Sequence, residues 1–173
     1  MTELTPERFD RAFDAAEPFE RREECFELTT TEFGGRVDVR DSREWELEYG
    51  LEIRVPTLDA ATEGAVGPAV QQGWFDTLAL RVEDAPGAVL HDVELSGLEV
   101  ERSGETVLVE FRFRWGNAEQ VPAIAKAMAE FVEGTFVEGI VPGYDYGPEV
   151  SGLLSAARSS GGDEEGGGDP MPL

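Results

Sequence analysis

The sequence predicts an α+β fold. It expects one domain with a mainly antiparallel five-stranded sheet and helices packed on one face, in the order α-β-β-β-α-β-β-α. Three observations carry this. From Trp45 to Val55 every odd residue is apolar and every even residue is charged or glycine, the alternation of a strand with one buried and one wet face. Val107, Val109, Phe111, Phe113 and Trp115 repeat that alternation, with Glu110, Arg112 and Arg114 between them. Val121, Ile124, Ala125, Met128, Phe131, Val132 and Thr135 instead recur at helical spacing. A chain of 173 residues is long enough for one core that buries roughly 70% of the unfolded surface and short for two.

Taken in order, Thr5-Pro6-Glu7 reads as a helix start, with Thr5 as N-cap, Pro6 at the first position and an acid in the positive first turn. Leu4 and Phe9 are spaced as a hydrophobic staple. Phe9, Ala12, Phe13 and Ala16 give the stripe that this helix buries, and Pro18 ends it. Three strands are expected next, over Cys25 to Thr31, Arg36 to Arg40 and Trp45 to Val55, joined by turns short enough to require an antiparallel meander. A helix from Pro68 to about Asp84 would turn Val70, Trp74, Thr77, Leu78 and Val82 to the core, with Thr57-Leu58-Asp59-Ala60 as an earlier turn.

His91, Val93 and Leu95 alternate in one phase, and Leu98 and Val100 in the other. A phase change at Gly97 implies a bulge in the first strand of a hairpin. Asn117 with Gln120 three residues on is a capping-box pattern for the last long helix. Val150 to Ala157 has the length of a final short helix. Residues 1–158 form the expected domain, and residues 159–173, rich in glycine and acid, cannot bury a core and read as a disordered tail.

Charge narrows the function classes. There are 37 acidic and 14 basic residues, a net charge of -23, and Lys126 is the one lysine. Such self-repulsion destabilises a compact state at low salt, and near molar salt, where the Debye length is about 3 Å, it is screened. The carboxylates run through nearly every segment, so the simplest reading is a surface adapted to a salty cytoplasm rather than a mimic of nucleic acid. No basic stripe offers phosphate neutralisation, so nucleic acid is not an expected partner. No stretch approaches the roughly 20 apolar residues of a membrane span. The first residues lack the basic and apolar regions of a signal peptide, and the expected location is cytoplasmic.

The familiar catalytic patterns are missing: there is no phosphate-binding glycine loop, no HExxH and no GxSxG. His91 is the single histidine and Cys25 the single cysteine, which removes a multi-histidine or multi-cysteine metal site and any intramolecular disulfide. His91 and Asp92 as neighbours on a strand would point to opposite faces, and Cys25 beside Phe26 reads as a small core hydrophobe. Glu133 and Glu138, in the near-repeat Phe131-Val132-Glu133-Gly134 and Phe136-Val137-Glu138-Gly139, have the chemistry for a hard cation, but 37 acids make such pairs commonplace. No catalytic, cofactor-binding or metal residue is therefore assigned, and no cofactor is expected.

Tyr144-Asp145-Tyr146 places aromatics in a Pro/Gly loop where this chain usually places acid. Trp74-Phe75 raises the same question, because only one of two neighbours on a helix faces a core squarely. Trp74, Phe75, Tyr144, Asp145 and Tyr146 are the candidate interaction surface. The alternative for the tyrosines is that they fold back and cap the core.

Val55-Pro56-Thr57-Leu58-Asp59-Ala60, Val66-Gly67-Pro68-Ala69-Val70 with Gly73-Trp74-Phe75, and Phe131 through Tyr144 resemble an uncharacterised haloarchaeal protein family, a domain of unknown function. The resemblance runs from about Pro6 to Leu154. It implies a salt-adapted archaeal cytoplasm and contributes no functional residues. By analogy of element order alone, the chain resembles type III secretion chaperones, commonly dimers. The reading that follows leans away from an enzyme: a non-catalytic protein-interaction module, chaperone- or adaptor-like, with a homodimer or an unidentified protein as partner. Two alternatives stand beside it, a small-ligand pocket between the sheet and the Asn117 helix, and a divalent-metal carboxylate enzyme.

Overall fold

The computed structural model describes residues 6–42, 46–148 and 150–156. The expectations for the Thr5 cap, the Leu4–Phe9 staple, Trp45 and the 159–173 tail lie outside those residues. The first helix, α1 (Pro6–Asp14), leads into β1 (Phe19–Arg21), β2 (Phe26–Leu28), β3 (Arg36–Ser42) and β4 (Leu47–Pro56). Two helices follow, α2 (Leu58–Ala61) and α3 (Pro68–Arg81), the latter running into a 3-10 turn over Val82–Ala88. The hairpin of β5 (Leu95–Ser103) and β6 (Thr106–Trp115) then leads through a 3-10 turn, Ala118–Gln120, to α4 (Val121–Glu138). Residues 150–156 are helical. No helix among the described residues is long and apolar enough to cross a membrane.

All pairings are antiparallel, and the sheet has six strands, not five, in the order β1-β2-β3-β4-β6-β5. The extra strand is Phe19–Arg21, paired with β2 from Phe19–Leu28 to Arg21–Phe26. Three residues with one apolar side chain carry no readable alternation. What makes them a strand is tertiary: Phe19 seals its ring edge-on against Phe13 at 4.8 Å. The added strand also breaks the expected α-β-β-β-α-β-β-α order. At the other hairpin, β5 starts at Leu95 rather than His91. Pairing with β6 stops at Leu95–Phe113, and the His91 ring lies 5.7 Å from that of Trp115. The bulge is where the phase change put it, with the register shifting between Leu95 and Gly97.

The centre of the sheet is β4 against β6, and its two faces differ completely. Leu47, Tyr49, Leu51, Ile53 and Val55 join Val107, Val109, Phe111 and Phe113 in a core cluster with the buried side chains of the helices. The opposite face is a lattice of ion pairs. Glu110, buried there, accepts from Arg112 at 2.8 Å and from Arg40 at 3.3 Å, and Arg114 holds Glu48 at 2.9 Å. Gly50 is the gap that lets Arg40 cross: a Cβ at that position would lie 2.5 Å from Arg40 Nε and 2.9 Å from Asp38 Oδ1.

The helix starts follow local chemistry. Thr57 caps α2 by accepting the Ala60 N–H at 3.1 Å. Asn117 accepts the Glu119 N–H at 3.1 Å, but the expected capping-box partner has another use: Gln120 accepts the indole N–H of Trp115 at 2.9 Å. A half-buried indole N–H needs a partner, and Gln120 supplies it. Ile124, Ala125, Met128, Val132 and Phe136 of α4 are all fully buried, so this helix lies flush on the core.

Candidate functional site: the outward flank of the Pro68 helix

The aromatic loop after α4 is tied down at both ends. Gly143, with φ at 95°, supplies the left-handed turn that only glycine adopts freely. The Tyr146 hydroxyl accepts the Val141 N–H at 3.0 Å and donates to the Val141 carbonyl. Burial pushes that phenol up, with the Val141 N–H pulling the other way. The backbone completes a clasp onto the segment after α2: Glu63 N–H donates to the Asp145 carbonyl at 2.7 Å, and Gly147 N–H to the Ala61 carbonyl at 2.8 Å. Tyr146 packs against the core, Tyr144 is half-buried and Asp145 is exposed. The loop therefore spends Tyr146 internally and offers Tyr144 and Asp145 outward.

The structure separates the neighbours Trp74 and Phe75 as their spacing requires. Trp74 is buried, edge-on to Phe136 at 5.8 Å. Phe75 is half-buried beneath the Arg102 guanidinium, 5.8 Å from its ring centre. Trp74 and Val141, the base of the aromatic loop, border one cleft of about 220 Å³ with Gly73, Thr77 and Gly139. Leu78, Thr135 and Arg81, the last paired with Glu138, complete the lining.

The buried strip of α3 consists of Gln71, Trp74 and Leu78, not the Val70 and Thr77 that sequence spacing nominated. Gln71 is inward because its side-chain oxygen accepts the Asp59 N–H at 2.8 Å, which anchors α2; its amide nitrogen has no partner. Val70 and Thr77 are turned out. With Gly73 and Leu80 they recur at spacings of three and four, so they share one side of the helix. Val70 is 38% exposed and Leu80 66%, and Leu90, just beyond the 3-10 turn, is fully exposed. In the fourteen residues of α3 only Asp76 and Arg81 are charged. On a molecule with 29% charged residues, this helix is poor in charge, with exposed Asp76 bordering the strip between Gly73 and Leu80. Leu80 and Leu90 were not singled out from the sequence; the available signal was that Asp76 is the single acid between Pro68 and Leu80.

The other candidates are placed apart. Cys25 is half-buried, and burial pushes its thiol up, away from a reactive thiolate. The Glu133 carboxylate accepts the Glu32 N–H at 2.8 Å, while Glu138 is held by Arg81, so the two acids of the near-repeat serve different contacts. Among the described residues no group of three or more His, Cys, Asp or Glu is arranged to hold a metal ion. The sheet side of α4, where a ligand pocket was an alternative, is filled by that helix's own buried side chains.

A family model matches residues 12–156, and its description is a family of unknown function, DUF5813. No curated protein and no solved structure matches the chain.

Proposed function

The chain belongs to the family of unknown function DUF5813, and we propose that its domain is a non-catalytic protein-interaction module, adaptor- or chaperone-like, that associates through the outward flank of α3. The observation that carries this is the strip Val70, Gly73, Thr77 and Leu80, with Leu90 exposed beyond the 3-10 turn, on a chain of net charge -23. A basic partner would be attracted almost anywhere on such a surface and would gain little from a strip poor in charge. A like-charged partner gains most there, because few carboxylates are desolvated or brought face to face, Asp76 being the one on the helix itself. The simplest like-charged partner is a second copy of the chain. The clasped loop offers half-buried Tyr144 and exposed Asp145 as a further contact.

The acidic surface and the resemblance to haloarchaeal proteins support work in a salt-rich cytoplasm, where this association is strengthened by screening. A helix of fourteen residues is about 21 Å long, so the contact is a weak, concentration-dependent one rather than an obligate interface. Sedimentation equilibrium tests it. The expected result is a dimer that tightens from about 0.1 M to molar potassium chloride and is lost in Leu80→Glu. A monomer at every concentration and salt level would refute the reading.

A further inference from the structure

A second concave site lies far from α3 in sequence, between α1 and the start of α4. It is a groove of about 1060 Å³, at the upper end of the range for small-molecule sites. Small and apolar side chains line it, among them Ala12, Ala16, Phe19 and Ala123. Arg8 and Arg11 from α1 and Lys126 from α4 line it too, with a single acid, Glu119. Three of the chain's 14 basic residues, including its one lysine, thus meet in one place on a surface that is otherwise strongly acidic.

The pairing pattern sharpens this. Arg21, Arg40, Arg54 and Arg112 each hold a carboxylate within 3.0 Å. Arg8 and Arg11 make no ion pair among the described residues, and both are exposed. Lys126 is paired along its own helix with Glu130, an exposed pair of small worth that an arriving anion can displace. Guanidinium groups with no carboxylate partner among the described residues, beside apolar lining, suit a ligand with an anionic head and an apolar body. The size is restricted by charge: a nucleic acid would extend beyond the groove onto carboxylates, where it is repelled.

We propose that this groove binds a small amphiphilic anion, its apolar body on the alanine lining and its carboxylate or phosphate head between Arg8, Arg11 and Lys126. This stands independently of the α3 association. The test is calorimetric titration of the full chain, at one fixed potassium chloride concentration, with decanoate, decyl phosphate, decanol and decyltrimethylammonium. One of the two anions is expected to bind saturably at one site, and the tighter of them identifies the head group. Decanol should bind about tenfold more weakly, as should the anion to an Arg8→Gln, Arg11→Gln double variant.

Both arginines are exposed, so the double variant should keep the wild-type melting temperature. Ala123→Trp, which puts an indole into the groove, should weaken binding. The Leu80→Glu variant should bind like the wild type. The proposal is overturned if neither anion binds saturably, if decyltrimethylammonium binds as tightly as the anions, or if the double variant retains full affinity. Loss of binding in Leu80→Glu alone would assign the site to α3 and overturn it equally.

Discussion

Of their eighteen and fourteen residues, α4 buries nine and α3 three. Every buried position of α4 is apolar except Thr135, and its inward residues interlock with Phe33 and Trp74 around Phe136, at ring distances of 4.9 and 5.8 Å. On α3 the inward strip contains a glutamine, and Val70 and Leu80 are outside. One helix is thus spent on stability. The other is held by Trp74, Leu78 and the Gln71–Asp59 bond, which leaves its charge-poor flank free for another surface.

The largest effect should come from emptying the closed side. Phe136→Ala removes a fully buried ring and should cost about 3–5 kcal/mol, read as a lowered denaturant midpoint. An equally large loss from Val70→Ala would break the comparison, since Val70 has little packing to lose. Among the described residues the closed side also holds an unpaired group: the Tyr49 hydroxyl is buried without a hydrogen-bond partner, and burial pushes the phenol up to about 12. Tyr49→Phe should therefore be neutral or stabilising by about 1 kcal/mol.

The sign of the pH effect follows from the same burial. The unfolded phenol ionises near pH 10, while the folded one keeps its proton to about 12. The contribution of Tyr49 is thus complete below pH 10 and is lost as the pH rises from there towards 12. Denaturant titrations across that window should show a slope that Tyr49→Phe reduces.

The clasp should respond locally. Tyr146→Phe removes both bonds to Val141 at about 1 kcal/mol, and hydrogen exchange should quicken over residues 141–147 while α4 is unchanged. Smallest in stability is Leu80→Glu, expected within about 0.5 kcal/mol of wild type, because that side chain is already in solvent. Its effect belongs to association alone. A large destabilisation would mean that α3 is a core helix after all.

The regular parts of this fold were legible where one periodicity holds for many residues. Leu47 to Val55 and Val107 to Phe113 alternate cleanly, and Gly97 announced its bulge. β1 was not legible, because Phe19-Glu20-Arg21 becomes a strand only through Phe13 and β2. On α3 spacing alone misled: Val70 and Trp74 are one turn apart, yet Gln71 takes the inward place because Asp59 N–H needs an acceptor. The cationic groove was invisible for another reason. Arg8 and Arg11 meet Lys126 only after α1 and α4 pack, and no local pattern spans more than a hundred residues. The aromatic loop was half legible, with Tyr146 folded back onto Val141 and Tyr144 left at the edge.

A pulsed electron resonance measurement on spin-labelled protein tests the α3 account most directly. The label goes on Thr77→Cys in a Cys25→Ser background, in molar potassium chloride. Helices packed face to face have axes 8–10 Å apart, so a symmetric α3 contact predicts an inter-chain distance of roughly 20 Å or less between labels, absent when Leu80→Glu is added. No dipolar coupling at Thr77, or a short distance that appears only with the label moved to Ala123 in the groove, would contradict it.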